Sequence, residues 1–299
     1  MAWCVLFFVD LGDSPETEVI QRILLLGILV IVPLGLSLIE SPPDVRSRPL
    51  RIAVTLQPFG ATASVISLLM IQGPLAGALA ALWLLVNLVV AVVALSRIVH
   101  RQFWLLEEVS IDVGLLYLSV GGIWFLASRL GLQPLEFGDT IVLLTAVHFH
   151  FAGFAAPIIA GMVGRVVDSG WSRRLFIPAC VAIMTAMPIV AAGITFSTKL
   201  GVVGTLLVTF GLLLLSLLVF RWLLRVTLPM TTKFLFVVSG LSAFVTMPMA
   251  CLYAYSLVVH ELIFDIPTMA ATHGVLNAVG FSLCGLAGWK LVQPAPRRS

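Results

Sequence analysis

Nine stretches of this chain run for about twenty residues or more with scarcely a charged side chain, and that single feature leaves few folds open. An α-helix needs about 20 apolar residues to cross a bilayer's hydrocarbon core. In lipid the backbone must satisfy its own hydrogen bonds, which helices do segment by segment. The stretches lie near residues 20–39, 52–71, 74–96, 109–128, 140–163, 175–197, 200–220, 234–258 and 268–292. They predict an all-α, polytopic transmembrane helix bundle of nine spans, with residues 1–299 as one transmembrane domain. Composition agrees: 60% of positions are hydrophobic and 10% charged, where soluble domains carry about 25% charge. The implied surroundings are the lipid bilayer of the cell (inner) membrane, and nucleic acid is not a partner this composition suits.

The basic residues divide unevenly between the two sets of span ends. Fourteen of the 17 fall on one set: Arg46, Arg48, Arg51, Arg97, Arg101, Arg165, Arg173, Arg174, Arg221, Arg225, Lys233, Lys290, Arg297 and Arg298. The other set holds only Arg22, Arg129 and Lys199. Cytoplasmic loops are enriched in Lys and Arg, so the N-terminus is expected outside and the C-terminus in the cytoplasm. A missed span would scramble this alternation. Very short links at Gln72-Gly73 and Thr198-Lys199 predict antiparallel hairpins. Met1 to Val9 is apolar but lacks a basic start, and acidic Asp10 and Asp13 follow it. It is read as an interfacial lead-in, not a cleaved signal peptide. The four cysteines are scattered without a CxxC, which gives no disulfide framework or zinc knuckle.

Ionisable groups inside spans are costly and usually functional, so the few present here carry the functional reading. His148 and His150 lie about 13 Å, and His273 about 8 Å, below the outer surface at the α-helical rise. His260 sits at the outer end of the eighth span. His148 and His150 are two residues apart, so an α-helix points them about 200° apart. His148 shares its face with Ala152, Ala156, Ala160 and Gly164, small residues that let another helix approach, so it is expected to face a helix. In the ninth span His273, Asn277, Gly280 and Cys284 form one stripe. Neutral imidazole is a common metal or haem ligand, and its second nitrogen needs an orienting partner; Asn277, Thr145 and Thr272 are candidates. This predicts a His-lined pocket for a metal, haem or polar ligand, with His148 and His273 as metal ligands. The alternative is hydrogen bonding that only fixes helix packing.

A second, acidic cluster opens the fourth span: Glu107, Glu108 and Asp112. Glu108 and Asp112 are four apart and share a face. Arg97 and Arg101 leave the preceding span at the same level and are expected to pair with them. The cluster is either a salt-bridge network or a protonatable pair able to serve as general acid. Asn87, mid-membrane, is expected to bond a neighbouring helix. Gly73, Gly77, Gly121 and Gly122 read as packing surfaces. Trp83, Trp104, Trp124, Trp171, Trp222 and Trp289 read as an aromatic belt. No Walker A loop, GxSxG, HExxH or aspartate-rich diphosphate motif occurs.

The strings LEEVSIDVGLLYLSVGGIWFLASRLG, LTAVHFHFAGFAAPIIAG and ATHGVLNAVGF resemble the YndJ-like family of bacterial membrane proteins. The resemblance covers residues 105–165 and 268–285. It implies a polytopic inner-membrane protein and carries no established activity. Its matched positions are Glu108, Asp112, Thr145, His148, His150, Gly153, His273, Asn277 and Gly280. The HxH in one span with HG in another is also loosely similar to membrane haem proteins of the haem–copper oxidase type.

Three activities follow from these residues. The first is a site built on His148, His150 and His273 that binds haem, another metal or a small or lipid-like ligand within the bundle. The second is an intramembrane enzyme acting on a lipid or isoprenoid, cyclase-like, with Asp112 or Glu108 as general acid and His148 and His150 as further catalytic groups. The third is a proton-coupled transporter linking the two clusters.

Overall fold

Hydrophobic runs of this length form helices, and in a computed structural model the chain does so along nearly its whole length. The structure describes residues 15–39, 47–101, 104–167 and 170–296. The apolar lead-in, Asp10, Asp13, Cys4, Arg46, Arg297 and Arg298 lie outside the described residues. Among the described residues nine long helices stand where nine spans are predicted. Helix α1 runs Pro15–Leu26, Gly27–Ile31 and Val32–Ile39; α2 is Arg48–Leu68, α3 Pro74–His100 and α4 Leu106–Leu130. Helix α5 is Asp139–Val166; α6 is Trp171–Phe196, α7 Thr198–Leu223 and α8 Met230–Val259. Helix α9 is Ile266–Val292. Eight of these are long and apolar enough to cross a membrane. The ninth, α2, is long enough, but Thr55, Gln57, Thr62, Ser64 and Ser67 dilute its apolar character.

Three of the helices are not α-helical throughout. Segments Gly27–Ile31 in α1, Phe149–Ala155 in α5, and Ala270–Gly274 and Leu276–Leu283 in α9 are π-helical. In the first two a proline follows two residues after the segment, Pro33 and Pro157. Proline has no N–H, and its ring crowds the carbonyl one turn back, so the turn before it widens. In α1 the Val32 N–H reaches back five residues to the Gly27 carbonyl. The next carbonyl, Ile28, would take the N–H of residue 33, and that residue is proline. Gln57 Nε2 supplies the missing donor at 2.9 Å. One of the polar residues that dilutes α2 thus completes α1.

The chain forms two compact units, residues 1–102 with 112–155, and residues 103–111 with 156–299. In the first, α2 and α3 form the predicted hairpin. Its turn is closed by Gly73, whose φ of 153° suits only glycine. Arg129, buried at the end of α4, donates to the carbonyls of Ser67 (3.0 Å) and Met70 (2.5 Å) at the end of α2. Gly27 of α1 lies against Phe151 and the Cβ of His150, so one π segment packs on another.

In the second unit α6 and α7 form the other predicted hairpin, with Ser197 alone between them. A side chain at Gly193 would run into the backbone of Gly201, so glycine is what lets the helices close so tightly. Trp289 is fully buried against Phe236 and Trp222, with ring centroids 4.7 and 5.4 Å away. Trp83 is also fully buried, in the first unit. These two are therefore not belt residues, whereas Trp104 and Trp171 are more than half exposed.

Candidate functional site

The first unit carries its polar core at the π segment of α5. His150 is fully buried. Its Nδ1 lies 2.8 Å from the Ala146 carbonyl, which can only accept, so Nδ1 carries the proton. Its Nε2 accepts from the indole Nε1 of Trp83 at 3.0 Å. Both ring nitrogens are in use, so a metal or a proton reaches His150 only if one of these bonds opens. Gly121 of α4 lies against the imidazole, and a Cβ there would stand 2.9 Å from Nδ1.

Asn87, one turn along α3 from Trp83, behaves differently from the sequence expectation. Its side chain is fully buried beside Gly122 and makes no hydrogen bond among the described residues. What joins it to its neighbour is its backbone carbonyl, which accepts from Ser119 Oγ at 3.1 Å.

Among the described residues His148 is exposed. Its Nδ1 lies 2.7 Å from the Leu144 carbonyl of its own helix. The four-residue ladder of small side chains assumed an unbroken α-helix. The π segment begins immediately after His148, so the α-helical period does not carry across it: Ala156, Ala160 and Gly164 are buried while His148 is not. Thr145 does not orient a histidine either: its hydroxyl donates to the Ile141 carbonyl at 2.7 Å.

In the second unit the predicted stripe of α9 does meet one helix. His273 Nδ1 lies 2.9 Å from the Thr246 carbonyl of α8, which fixes the proton on Nδ1. Asn277 Nδ2 lies 3.3 Å from both ring nitrogens, and only Nε2 then has a lone pair to offer it. The single O–H of Thr246 is shared between the Ser242 carbonyl at 2.9 Å and Asn277 Oδ1 at 3.0 Å, so it orients the amide only when it turns from its own helix. Gly280 completes the stripe by leaving room for Ser242. His273 and Asn277 remain half-buried. Thr272, exposed, donates to the Thr268 carbonyl of its own helix at 2.6 Å and takes no part. The helix starts at Asp265, whose carboxylate accepts from the Thr268 N–H at 2.8 Å. Hydrogen bonds from Thr268 hold that exposed carboxyl below the usual carboxylate range.

The three acids are all ion-paired, and Glu108 and Asp112 do not share partners. In the first unit Asp112 Oδ1 accepts from Arg97 Nε at 2.6 Å and its Oδ2 from Arg101, the two partners expected. In the second unit Arg165 grips Glu108 with Nε at 2.7 Å and Nη2 at 2.9 Å. Its Nη1 also reaches the Pro294 carbonyl at 3.3 Å. Arg173 takes Glu107 at 2.7 Å. Both oxygens of Asp112 and of Glu108 thus accept from guanidinium, and a general-acid role requires an arginine to leave.

Among the described residues no group of three or more His, Cys, Asp or Glu could hold a metal ion. Sequence reasoning missed Trp83, Gln57, Thr246, Arg165 and Arg173. Only the arginines gave a signal, as intramembrane-edge cations near buried carboxylates.

A family model described as YndJ-like protein matches residues 22–281. The chain belongs to the YndJ-like family. The match extends well beyond the segments that carry the resemblance in the sequence. The uncharacterized membrane protein YndJ of Bacillus subtilis (strain 168) is 30% identical over 302 residues, covering 99% of this chain and 53% of the relative. The chain thus spans about half the length of that YndJ relative. No solved structure matches it. With its apolar helices, the chain is a multi-pass membrane protein of the cell membrane.

Proposed function

We propose that this YndJ-like chain binds a small polar or lipid-like ligand within the membrane, with His273 as the contact group and Asn277 and Thr246 as its orienting partners. The observation that carries this reading is the relay from Thr246 through Asn277 to the half-buried imidazole. A backbone carbonyl of Thr246 and the amide of Asn277 order one ring that packing alone would not require. The ring stands on consecutive π segments, which cost regular hydrogen bonding and occur frequently at functional sites. An oriented neutral imidazole suits a ligand hydroxyl or phosphate ester, or one coordination position of a metal or haem. A metal bound at His273 would draw its other ligands from beyond this trio, so an organic polar group fits these residues better.

The test is to purify the full chain in mild detergent and identify what comes with it. Organic extracts, metal content and the visible spectrum are compared for the wild type, His273→Ala and Asn277→Leu. The reading expects one species, near stoichiometric in the wild type, depleted in both variants. Identical extracts and spectra from all three folded proteins would overturn it.

A further inference from the structure

A second, unrelated cluster lies at the arginine-rich end of the second unit. Where α6 begins and α7 ends, a surface notch is lined by Ser172, Arg221, Trp222 and Arg225 over an apolar floor that includes Val167 and Leu218. Arg221 is exposed, yet it is held on two sides. Its guanidinium lies 5.2 Å over the ring of Trp171, and its Nε donates to Ser172 Oγ at 3.3 Å. Among the described residues its two Nη groups donate to no acceptor. Ser172 is buried, and having accepted from Arg221 it keeps its own O–H to donate. Trp222 is fixed by edge-on packing against Phe236, centroids 5.7 Å apart, which makes that wall of the notch rigid.

We propose that this notch binds the phosphate of an anionic phospholipid headgroup. A planar, pre-oriented guanidinium matches phosphate oxygens in a way a mobile ammonium does not. The serine hydroxyl adds a neutral donor. Placement argues for lipid over a soluble anion. The notch opens at the ends of two membrane-length helices, and Trp171, more than half exposed, is the residue type that settles at headgroup depth. The apolar floor suits the first methylenes of an acyl chain. Basic pockets between span ends are the sites that recognise acidic headgroups.

The experiment uses the full chain, delipidated in a neutral detergent and titrated with phosphatidylglycerol, phosphatidylcholine or inorganic phosphate, with bound lipid read by native mass spectrometry and binding by thermal shift. Phosphatidylglycerol should bind and phosphatidylcholine should not compete. Arg221→Gln should weaken phosphatidylglycerol about fivefold. Arg221→Lys, which keeps the charge and loses the fork, should fall between wild type and Arg221→Gln. Arg221 is exposed, so the single variants keep the fold; Arg48→Gln, at another exposed arginine, controls for loss of charge alone and should bind normally. Unchanged affinity in Arg221→Gln, or equal binding of phosphatidylcholine, would overturn the proposal. Full occupancy by inorganic phosphate at the same concentration would overturn the lipid assignment in favour of a soluble anion.

Discussion

The indole Nε1 of Trp83 donates across 3.0 Å to Nε2 of His150, and the two rings lie within 16° of parallel. Both residues are fully buried, so neither finds water if the other is removed. Each of Trp83→Phe and His150→Phe should lower thermal stability, and the double variant should lose less than the two together. Inside membranes such couplings average about 0.6 and reach about 1.7 kcal/mol, because the unfolded chain also finds partners. A double-mutant cycle by thermal unfolding in detergent checks this. Strict additivity would mean that the bond contributes nothing.

Gln57 compensates for a proline on another helix. Replacing it with leucine keeps the volume and removes the donor to the Ile28 carbonyl. Gln57→Leu should cost about 1 kcal/mol. Combined with Pro33→Ala, which restores the backbone N–H, the substitution should cost clearly less. Equal losses in both backgrounds would show that the amide does not serve the π segment.

Arg165 and Glu108 form the most enclosed ion pair, with Arg165 side-chain exposure of 0%. Removing one member leaves an uncompensated charge, so Arg165→Gln or Glu108→Gln should destabilise by about 3–5 kcal/mol. Arg165→Lys should rescue little, because lysine cannot make the two parallel bonds. The yield of folded, monodisperse protein and its melting temperature are the readouts. Near-normal Arg165→Lys would mean that charge alone matters there.

The 14-to-3 division of basic residues predicts sidedness. In a variant otherwise free of cysteine, a cysteine at Gln133, between α4 and α5, should react with an impermeant reagent from outside the cell. One at Thr227, between α7 and α8, should react only after the membrane is opened. The structure adds a reason for two of the three exceptions. Arg22 is paired with Glu18, and buried Arg129 caps the end of α2. Labelling of both positions from the same side would contradict the alternation.

How much of this was legible beforehand follows from what each feature depends on. Length and apolarity fix a membrane-length helix, so nine long helices could be read, eight of them apolar enough to cross, and the hairpin links to within about three residues. Arg97 and Arg101 could be matched to Asp112 because they leave a neighbouring helix at the same level. Side-chain direction could not be read past Pro33 or Pro157, because facing was inferred from an α-helical period and the π segments change that period. This is why His148 turned out exposed while the small residues Ala156, Ala160 and Gly164 are buried as expected. Thr246 was invisible for another reason: a threonine mid-helix carries no sequence signal, and its value lies in the amide of Asn277 placed opposite. Trp83 was misread because tryptophan in a span usually marks an interface, whereas here a buried imidazole gives its N–H a partner.

The proposed role of His273 is tested most directly by the intact mass of the folded protein. Released from mild detergent in a mass spectrometer, wild-type protein should carry an adduct of one defined mass. His273→Ala, folded, should lack that adduct, while phospholipid held at the Arg221 notch should be common to both proteins. The same adduct spectrum from both proteins would contradict a ligand site at His273 and leave the Thr246–Asn277–His273 relay a packing device.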